Sequence, residues 1–456
     1  MPKPIKLEIR ESNEQIITPG GLAMAGHLIS RTSLYEKADA IKTREKANPQ
    51  IKNSDAIGSY IGILSQGKND YEAANEFKEE PEYYSGILGI RRIPSAETLR
   101  QRLDAISPQL RNALVKSNIE LLKEASPQIG KTSTGHIPID IDVTPLDNSG
   151  SKKEGVSQTY MKFKGYAPIL AYIGTEGYII NTELREGSRH SQNGTAQFLA
   201  ETIKASRKIA DGPLLARMDA GNDSEENLIV FSEEETKADY IIKRNLRNED
   251  RGDWLAFAKQ DKKGAETEPR DGKTVYVGSN CHDFEDGRLG PVRIVYEITE
   301  RLSKADGQVY MEPDIEISTW WTSLPEEGEG SVANEAVIQL YHEHGTCEQF
   351  HSELKTDMDL ERLPSGNFKT NAAIWLMGML AYNILRIIGQ ASLTKDDSPL
   401  KCPVRRRRIK TVIQNLITFA VRVVCHARKT YLNMGKSNAW RHTFKRVYYA
   451  LVLEGT

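Results

Sequence analysis

Cysteine is scarce in this 456-residue chain: four residues, Cys281, Cys347, Cys402 and Cys425, with no C-x-x-C pair among them. That scatter argues against a structural zinc site and a disulfide framework, and it fits a reducing cytosol. Long apolar runs are missing too. No stretch reaches the about 18 residues of a membrane span, and no signal peptide opens the sequence, so neither a span nor export is expected. Net charge is almost absent at −2, which by itself points to no partner. Its distribution is more telling. Lys401–Thr456 carries 13 Lys and Arg against one acidic residue, Glu454, a surplus of +12 that leaves −14 on the other 400 residues. A basic tail on an acidic body suggests a polyanionic partner.

What is present falls into five stretches. Residues 1–130 read as mostly helical, a candidate DNA-binding domain. Asp55–Phe77 suggests two short helices joined near Gly67. The segment I-P-S-A-E-T-L-R-Q-R-L, Ile93 to Leu103, starts a helix: Ser95 can cap its first turn, and Leu99 with Leu103 makes an apolar i, i+4 pair. Arg91, Arg92, Thr98, Arg100 and Arg102 are left around its entry and outer surface. An Arg-rich final helix is compatible with helix-turn-helix docking on DNA, with a helical cap on the main domain as the alternative.

From His136 the period drops to two. Ile137, Ile139, Ile141 and Val143 alternate with Asp140, Asp142 and Thr144. Burying an unpaired carboxylate is costly, so two on one strand face call for a metal, a cation partner or solvent at a cleft. Strands over Lys164–Tyr172 and Gly177–Leu184 and a helix over Thr195–Ile209 continue a β-β-β-α run through residues 131–245. In P-L-L-A-R-M-D-A-G an apolar strand then ends at Asp219, where active-site acids sit in open α/β sheets. A helix over Ser224–Glu235 and a strand over Tyr240–Arg244 follow. Residues 246–335 hold short β segments between Gly- and Asp-rich turns, a β-rich insertion. Residues 336–395 return to helix and end in an apolar one, Asn371–Gly389, read as core because Asn383 and Arg386 lie inside it. Residues 396–456 form a basic helical region opened by R-R-R-R-I-K at Arg405–Lys410.

The chemistry concentrates in Y-H-E-H-G-T-C-E-Q-F-H-S-E-L-K, Tyr341 to Lys355. At about 100° per residue, Tyr341, His344, Glu348 and Lys355 fall within an arc of roughly 60°, one polar stripe from which Glu343 and Glu353 point away. Glu348 and Lys355 lie about 10 Å apart along the axis. That is too far for a salt bridge but suits two parts of one extended polyanion, the carboxylate through a metal and the lysine at a phosphate. A solvated charged face is the bland alternative. Asp142, Asp219 and Glu348 make three carboxylates without a histidine or cysteine ligand pattern, which suits Mg²⁺ or Mn²⁺. Two such ions about 4 Å apart can clamp an in-line phosphoryl displacement. A glycosidase pair is another use of carboxylates; the basic tail and Lys355 favour a phosphodiester.

These motifs resemble those of insertion-sequence transposases of the DDE class. In that family the third-acid helix carries Y-x2-R-x3-E-x6-K, matched in spacing by Tyr341, His344, Glu348 and Lys355, with histidine in the arginine position. The first acid lies in D-x-T, present as Asp142-Val143-Thr144. The second lies in R-x-D-S-G, present as Arg217-Met218-Asp219-Ala220-Gly221 with alanine in the serine position. Arg185-Glu186-Gly187, His190, Asn193-Gly194 and Asn371 are similar as well. The resemblance implies an α/β fold, an RNase H-like mixed sheet flanked by helices and interrupted by the β-rich insertion, with the helical N-terminal domain and basic C-terminal region outside it. It implies cleavage at the ends of a mobile element and strand transfer into target DNA. Asp142, Asp219 and Glu348 would bind two Mg²⁺ or Mn²⁺ ions, and Lys355 would act with them in catalysis; with Tyr341 it would also position backbone phosphates. The partners would be double-stranded DNA, both terminal inverted repeats and target, with a homodimer assembled on it in a prokaryotic cytoplasm, at the nucleoid and away from any membrane.

Alternatives stay open at several residues. Asp140 shares a strand face with Asp142 and is the other candidate first ligand, though D-x-T favours Asp142. His344 can contact a phosphate, but unlike arginine it loses its charge near pH 6.5. Trp320, with Trp321, can stack on an unpaired base or belong to the core. Arg405, Arg406, Arg407 and Arg408 read as a phosphate-tracking patch or a merely solvated face. Two rivals to the transposase reading are a metal-dependent nuclease without joining activity and an inactive transposase-derived DNA-binding protein. The intact acid triad speaks against the second.

Overall fold

The computed structural model describes residues 6–42, 49–285 and 287–453; Glu454 of the basic tail lies outside them. Its centre is a mixed sheet. Strands β1 (Ile137–Val143), β2 (Ile169–Ile173) and β3 (Tyr178–Glu183) form an antiparallel meander, while β4 (Leu214–Met218) and β5 (Asp239–Lys243) run parallel to β1. The alternation in I-P-I-D-I-D-V gives β1 one apolar face and one carboxylate face. Helices Thr195–Ser206 and Glu225–Ser232 follow the strands as expected, the second capped by Ser224, which accepts from Asn227 N–H.

The insertion does not form a separate body. After the helix Arg251–Gln260 come β6 (Ala265–Arg270), β7 (Lys273–His282), β8 (Val292–Ser303) and β9 (Val309–Thr322). Strand β9 pairs antiparallel with β5, Trp321 opposite Ile242, so that one sheet of nine strands runs in the order β6-β7-β8-β9-β5-β4-β1-β2-β3.

The N-terminal helices share a continuous apolar core with the sheet, from Leu22 and Leu28 through Leu99 and Leu110 to Ile139 and Leu170. Ser95 caps the helix Ala96–Ala125, accepting from Thr98 N–H at 3.2 Å, and Gly67 takes the left-handed conformation that ends the preceding helix region. The helical cap is therefore the arrangement observed. Arg102 is 8% exposed, and Arg100 is held by Glu97 and Asp104. Burial takes Arg102 off the recognition face assigned to it, whereas Arg100 stays exposed on the helix surface.

The apolar helix is Phe368–Ala391, and among the described residues no other helix is long and apolar enough to cross a membrane. It is a core helix. Asn383 explains its polar interior: it accepts from Ile179 N–H and donates to Ile179 C=O and to Asn118, tying β3 to the two longest helices. The C-terminal region departs from an all-helical reading. Val421–His426 and Lys429–Met434 form a hairpin that also pairs with Ile16–Ile17, and its turn residues Ala427 and Arg428 both have positive φ. Two such residues in succession make the turn type whose twist suits a two-residue hairpin.

Candidate active site at the ends of β1 and β4

The Tyr341–Lys355 stretch is helical but not one regular helix. An α-helix, Asn334–His342, tightens into a 3₁₀ turn at Glu343–Thr346, returns to α over Cys347–Ser352 and widens into a π turn at Glu353–Asp357. Short π segments inside helices are frequent at functional sites. The widening has a visible anchor. Glu353, 1% exposed, is paired with Arg386 and, at 2.6 Å, with Arg406, and Tyr382 donates to it. Asp357, wholly buried, takes both forks of Arg408 and the N–H of Lys410.

These contacts narrow the reading of the arginine run, since Arg407 is buried and Arg406 and Arg408 already face acids. Arg406 and Arg408 grip the end of the third-acid helix, and Arg407, 3% exposed, lies over Trp440 at 4.3 Å. Arg405 alone keeps an exposed side without such a contact among the described residues. Burial beside unpaired acids decides the outcome, because an uncompensated buried carboxylate costs more than a surface arginine gains. Trp320 is also corrected: at 1% exposure it packs against Tyr341 with ring centres 5.6 Å apart, and no base can reach it.

The two strand-borne acids have different environments. Asp140 is 2% exposed and accepts both forks of Arg217, at 2.6 and 2.8 Å, and His344 Nδ1 lies 3.1 Å away. Burial would raise its pKa, but Arg217 and then His344 outweigh burial and hold it below the ordinary value. Its charge is already balanced, so Asp140 is not free to take a cation. His344, placed on a phosphate by its sequence position, is instead 7% exposed and faces Asp140 and Cys347. Asp140, His344 and Cys347 do place ligand atoms within 4.8 Å of one another. The guanidinium fork on both Asp140 oxygens fills the place an ion would need.

Asp142 ends β1 with one oxygen accepting Val143 N–H at 2.7 Å and the other 3.2 Å from His351 Nε2. Burial raises its pKa; His351, with help from the charge of His344, brings it down overall. Asp219 follows β4 and accepts from Asn222 Nδ2 at 2.7 Å. Its pKa is raised, first by burial and next by the charge on Asp142. Neither acid forms an ion pair with a lysine or arginine among the described residues. Two carboxylates that repel each other and pair with no lysine or arginine suit a divalent metal with oxygen ligands.

The helix lies beside β1. His344 and His351, four residues before and three after Glu348, touch Asp140 and Asp142, so that helix face is turned toward β1. Glu348 is exposed and makes no hydrogen bond or ion pair among the described residues. The pKa of half-buried Lys355 is lowered by desolvation, against the opposing charges of Glu361 and Asp142. The Tyr341 hydroxyl is raised by burial and then by Asp219 and Asp142. Asp142 thus sits within electrostatic reach of Asp219, Tyr341 and Lys355.

Other motif residues support the rim. Arg185 is buried on Glu183, Ser191 C=O and Thr195, and Ser191 donates to Gly221 C=O beside Asp219. Asn371 donates to the Tyr166 hydroxyl and to Ser365 C=O. Two residues near the acids were not singled out from sequence: His351, whose Nδ1 lies 3.0 Å from the Tyr172 hydroxyl, and Tyr160, whose hydroxyl donates to Val143 C=O at 3.2 Å. His351 had a signal, since it falls one turn after Glu348 on the same helix face.

A mixed α/β sheet bearing acids at its strand ends, beside a helix carrying glutamate and lysine, is a framework for phosphoryl transfer on DNA. Residues 3–454 match the family described as transposase DDE domain, group 1, and the chain belongs to that family. It is a DNA transposase of the DDE class, DNA-cleaving enzymes that use a divalent metal. No curated protein matches it significantly. Among solved structures it is similar to the piggyBac transposase in a synaptic complex with hairpin DNA. Identity is 12% over 88% of this chain and 80% of that one, with a TM-score of 0.44, too distant for residue-by-residue comparison.

Proposed function

We propose that the protein cleaves DNA at the ends of a mobile element and joins the exposed 3′ ends to target DNA, with Asp142, Asp219 and Glu348 as the metal ligands. The observation that carries this reading is the acid pair Asp142 and Asp219, which repel each other and pair with no lysine or arginine among the described residues, with Lys355 within electrostatic reach of Asp142. Two Mg²⁺ or Mn²⁺ ions bound there would stabilise charge on the attacking and leaving oxygens. Lys355 supplies a fixed positive charge for a backbone phosphate, and Tyr341 a hydroxyl that burial and nearby acids keep protonated as a donor. His351 holds one oxygen of Asp142, and Asn222 holds one of Asp219. Double-stranded DNA, as terminal repeats and as target, is the partner, with two copies of the chain working on it. The four free cysteines are consistent with work in a reducing cytoplasm.

The test is a strand-transfer assay with labelled duplexes carrying the element's ends, supercoiled target DNA and Mg²⁺. Joined products that vanish in Glu348→Gln are the expected result. Cleavage without joined products would make the protein a nuclease and overturn the proposal.

A further inference from the structure

The hairpin Ser157–Tyr166 ends in a turn that presents an exposed aromatic, an exposed methionine and two exposed lysines beside the acids. Tyr160 is 65% exposed and Met161 58% exposed. The turn is firmly made: Thr159 N–H donates to Phe163 C=O at 2.8 Å, Thr159 Oγ1 donates to the same oxygen, and Lys162 N–H returns to Thr159 C=O at 3.0 Å. Gly187 packs against its base so closely that a Cβ there would lie 2.4 Å from Ser157 C=O and Gly165 C=O. The Tyr160 hydroxyl reaches Val143 C=O, one residue from Asp142, so the ring overhangs that end of β1.

Two features make the turn look like a binding element. Lys162 occupies a left-handed position, φ 65°, where glycine would sit with less strain, so a long cationic side chain stands at a position that disfavours it. Lys162 and Lys164 are exposed and form no ion pair among the described residues.

We infer that the Tyr160–Lys164 turn is a binding subsite for the DNA strand next to the scissile phosphodiester. Tyr160 and Met161 lie against the face of a nucleobase, and Lys162 and Lys164 against its flanking phosphates. This rests on the function proposed above. It assigns base contact to the turn, where the insertion's Trp320 is buried. Stacking an aromatic on a base accepts any sequence, because every base has a π-face.

The experiment uses the full-length protein and a duplex with a short unpaired overhang carrying 2-aminopurine, with Ca²⁺ present. On binding, wild-type protein should quench the 2-aminopurine. Tyr160→Ala should abolish the quench and weaken overhang binding by about tenfold or more, within the range for one lost stacking partner. Tyr160→Phe should keep both within about twofold, because it keeps the ring and loses only the bond to Val143. Lys162→Ala should lower the salt dependence of binding without removing the quench. Equal loss in Phe and Ala would assign Tyr160 to bracing β1, and an unchanged quench in Ala would remove the ring from the interface. Either result overturns the subsite. Wild-type protein that binds neither this probe nor plain duplex would instead overturn the placement of DNA at the acid cluster.

Discussion

Asp140→Asn tests the foundation on which the acids stand. The carboxylate takes both forks of Arg217 across β1 and β4, and the side chains are 2% and 3% exposed. Removing one partner of a buried pair costs about 3–5 kcal/mol, because the other charge stays behind without compensation. Arg217 would keep Leu340 C=O at 2.7 Å and the Glu343 carboxylate at 3.6 Å, which places the expectation at the lower end, about 3 kcal/mol. With a guanidinium slope of roughly 6 kcal/mol/M, the unfolding midpoint should fall by about 0.5 M. The pH dependence has a definite sign. The folded pKa of Asp140 is depressed, so its stabilising contribution is present above the unfolded value and disappears as pH falls through the folded one. The stability gap between wild type and Asp140→Asn should therefore close in acid. The double replacement Asp140→Leu with Arg217→Met should cost less than the two singles summed, since no lone charge remains. A midpoint unchanged by Asp140→Asn, or strict additivity in the double variant, would refute the pairing as the support of the site. If a chelator lowered the midpoint of Asp142→Asn as it does the wild type but left Asp140→Asn unchanged, Asp140, His344 and Cys347 would hold an ion after all.

Asp142→Asn, Asp219→Asn and Glu348→Gln should each lower cleavage by on the order of 10² or more while DNA binding stays within a few-fold, measured by single-turnover cleavage and gel shift. Asp219→Asn should also stabilise the metal-free protein at neutral pH. Its folded pKa is raised, so the charged form is disfavoured by folding and the deficit is complete above the carboxylate range; a thermal melt in chelator reads this directly. Replacing Arg406 and Arg408 together by Gln should destabilise the fold and leave the salt slope of DNA binding nearly unchanged, because both already face Glu353 and Asp357; a slope reduced by about 0.9 per arginine would return them to phosphate contact. His351→Ala should weaken Mn²⁺ binding in calorimetry more than His351→Gln, whose amide can still reach Asp142.

The strands β1 and β4 were legible because burial imposes a period of two on Ile137–Val143 and an apolar run on Leu214–Met218. The acids were legible because a carboxylate in either place contradicts that burial. What escaped is what sequence separation hides. Nothing in R-R-R-R announces that Arg406 and Arg408 pair with acids and Arg407 is buried, since Glu353 and Asp357 lie about fifty residues upstream. The stripe from Tyr341 to Lys355 assumed one helical period, whereas the chain passes through 3₁₀, α and π turns. His344 left the stripe for the Asp140–Arg217 pair as a result. Trp320 shows the opposite lesson: in the alternating strand β9 it followed the bland rule and went to the core.

The pairing of β9 with β5 also bears on aggregation. Without the insertion, β5 would leave a row of unpaired N–H and C=O groups at the rim of the central sheet, a template for any passing strand. The insertion covers that row and moves the open rim to β6, whose sequence is A-E-T-E-P-R. Two glutamates and a proline that cannot donate make this a poor surface for strand addition. The same insertion that enlarges the protein thus gives its sheet a charged, proline-bearing margin that resists joining other molecules edge to edge.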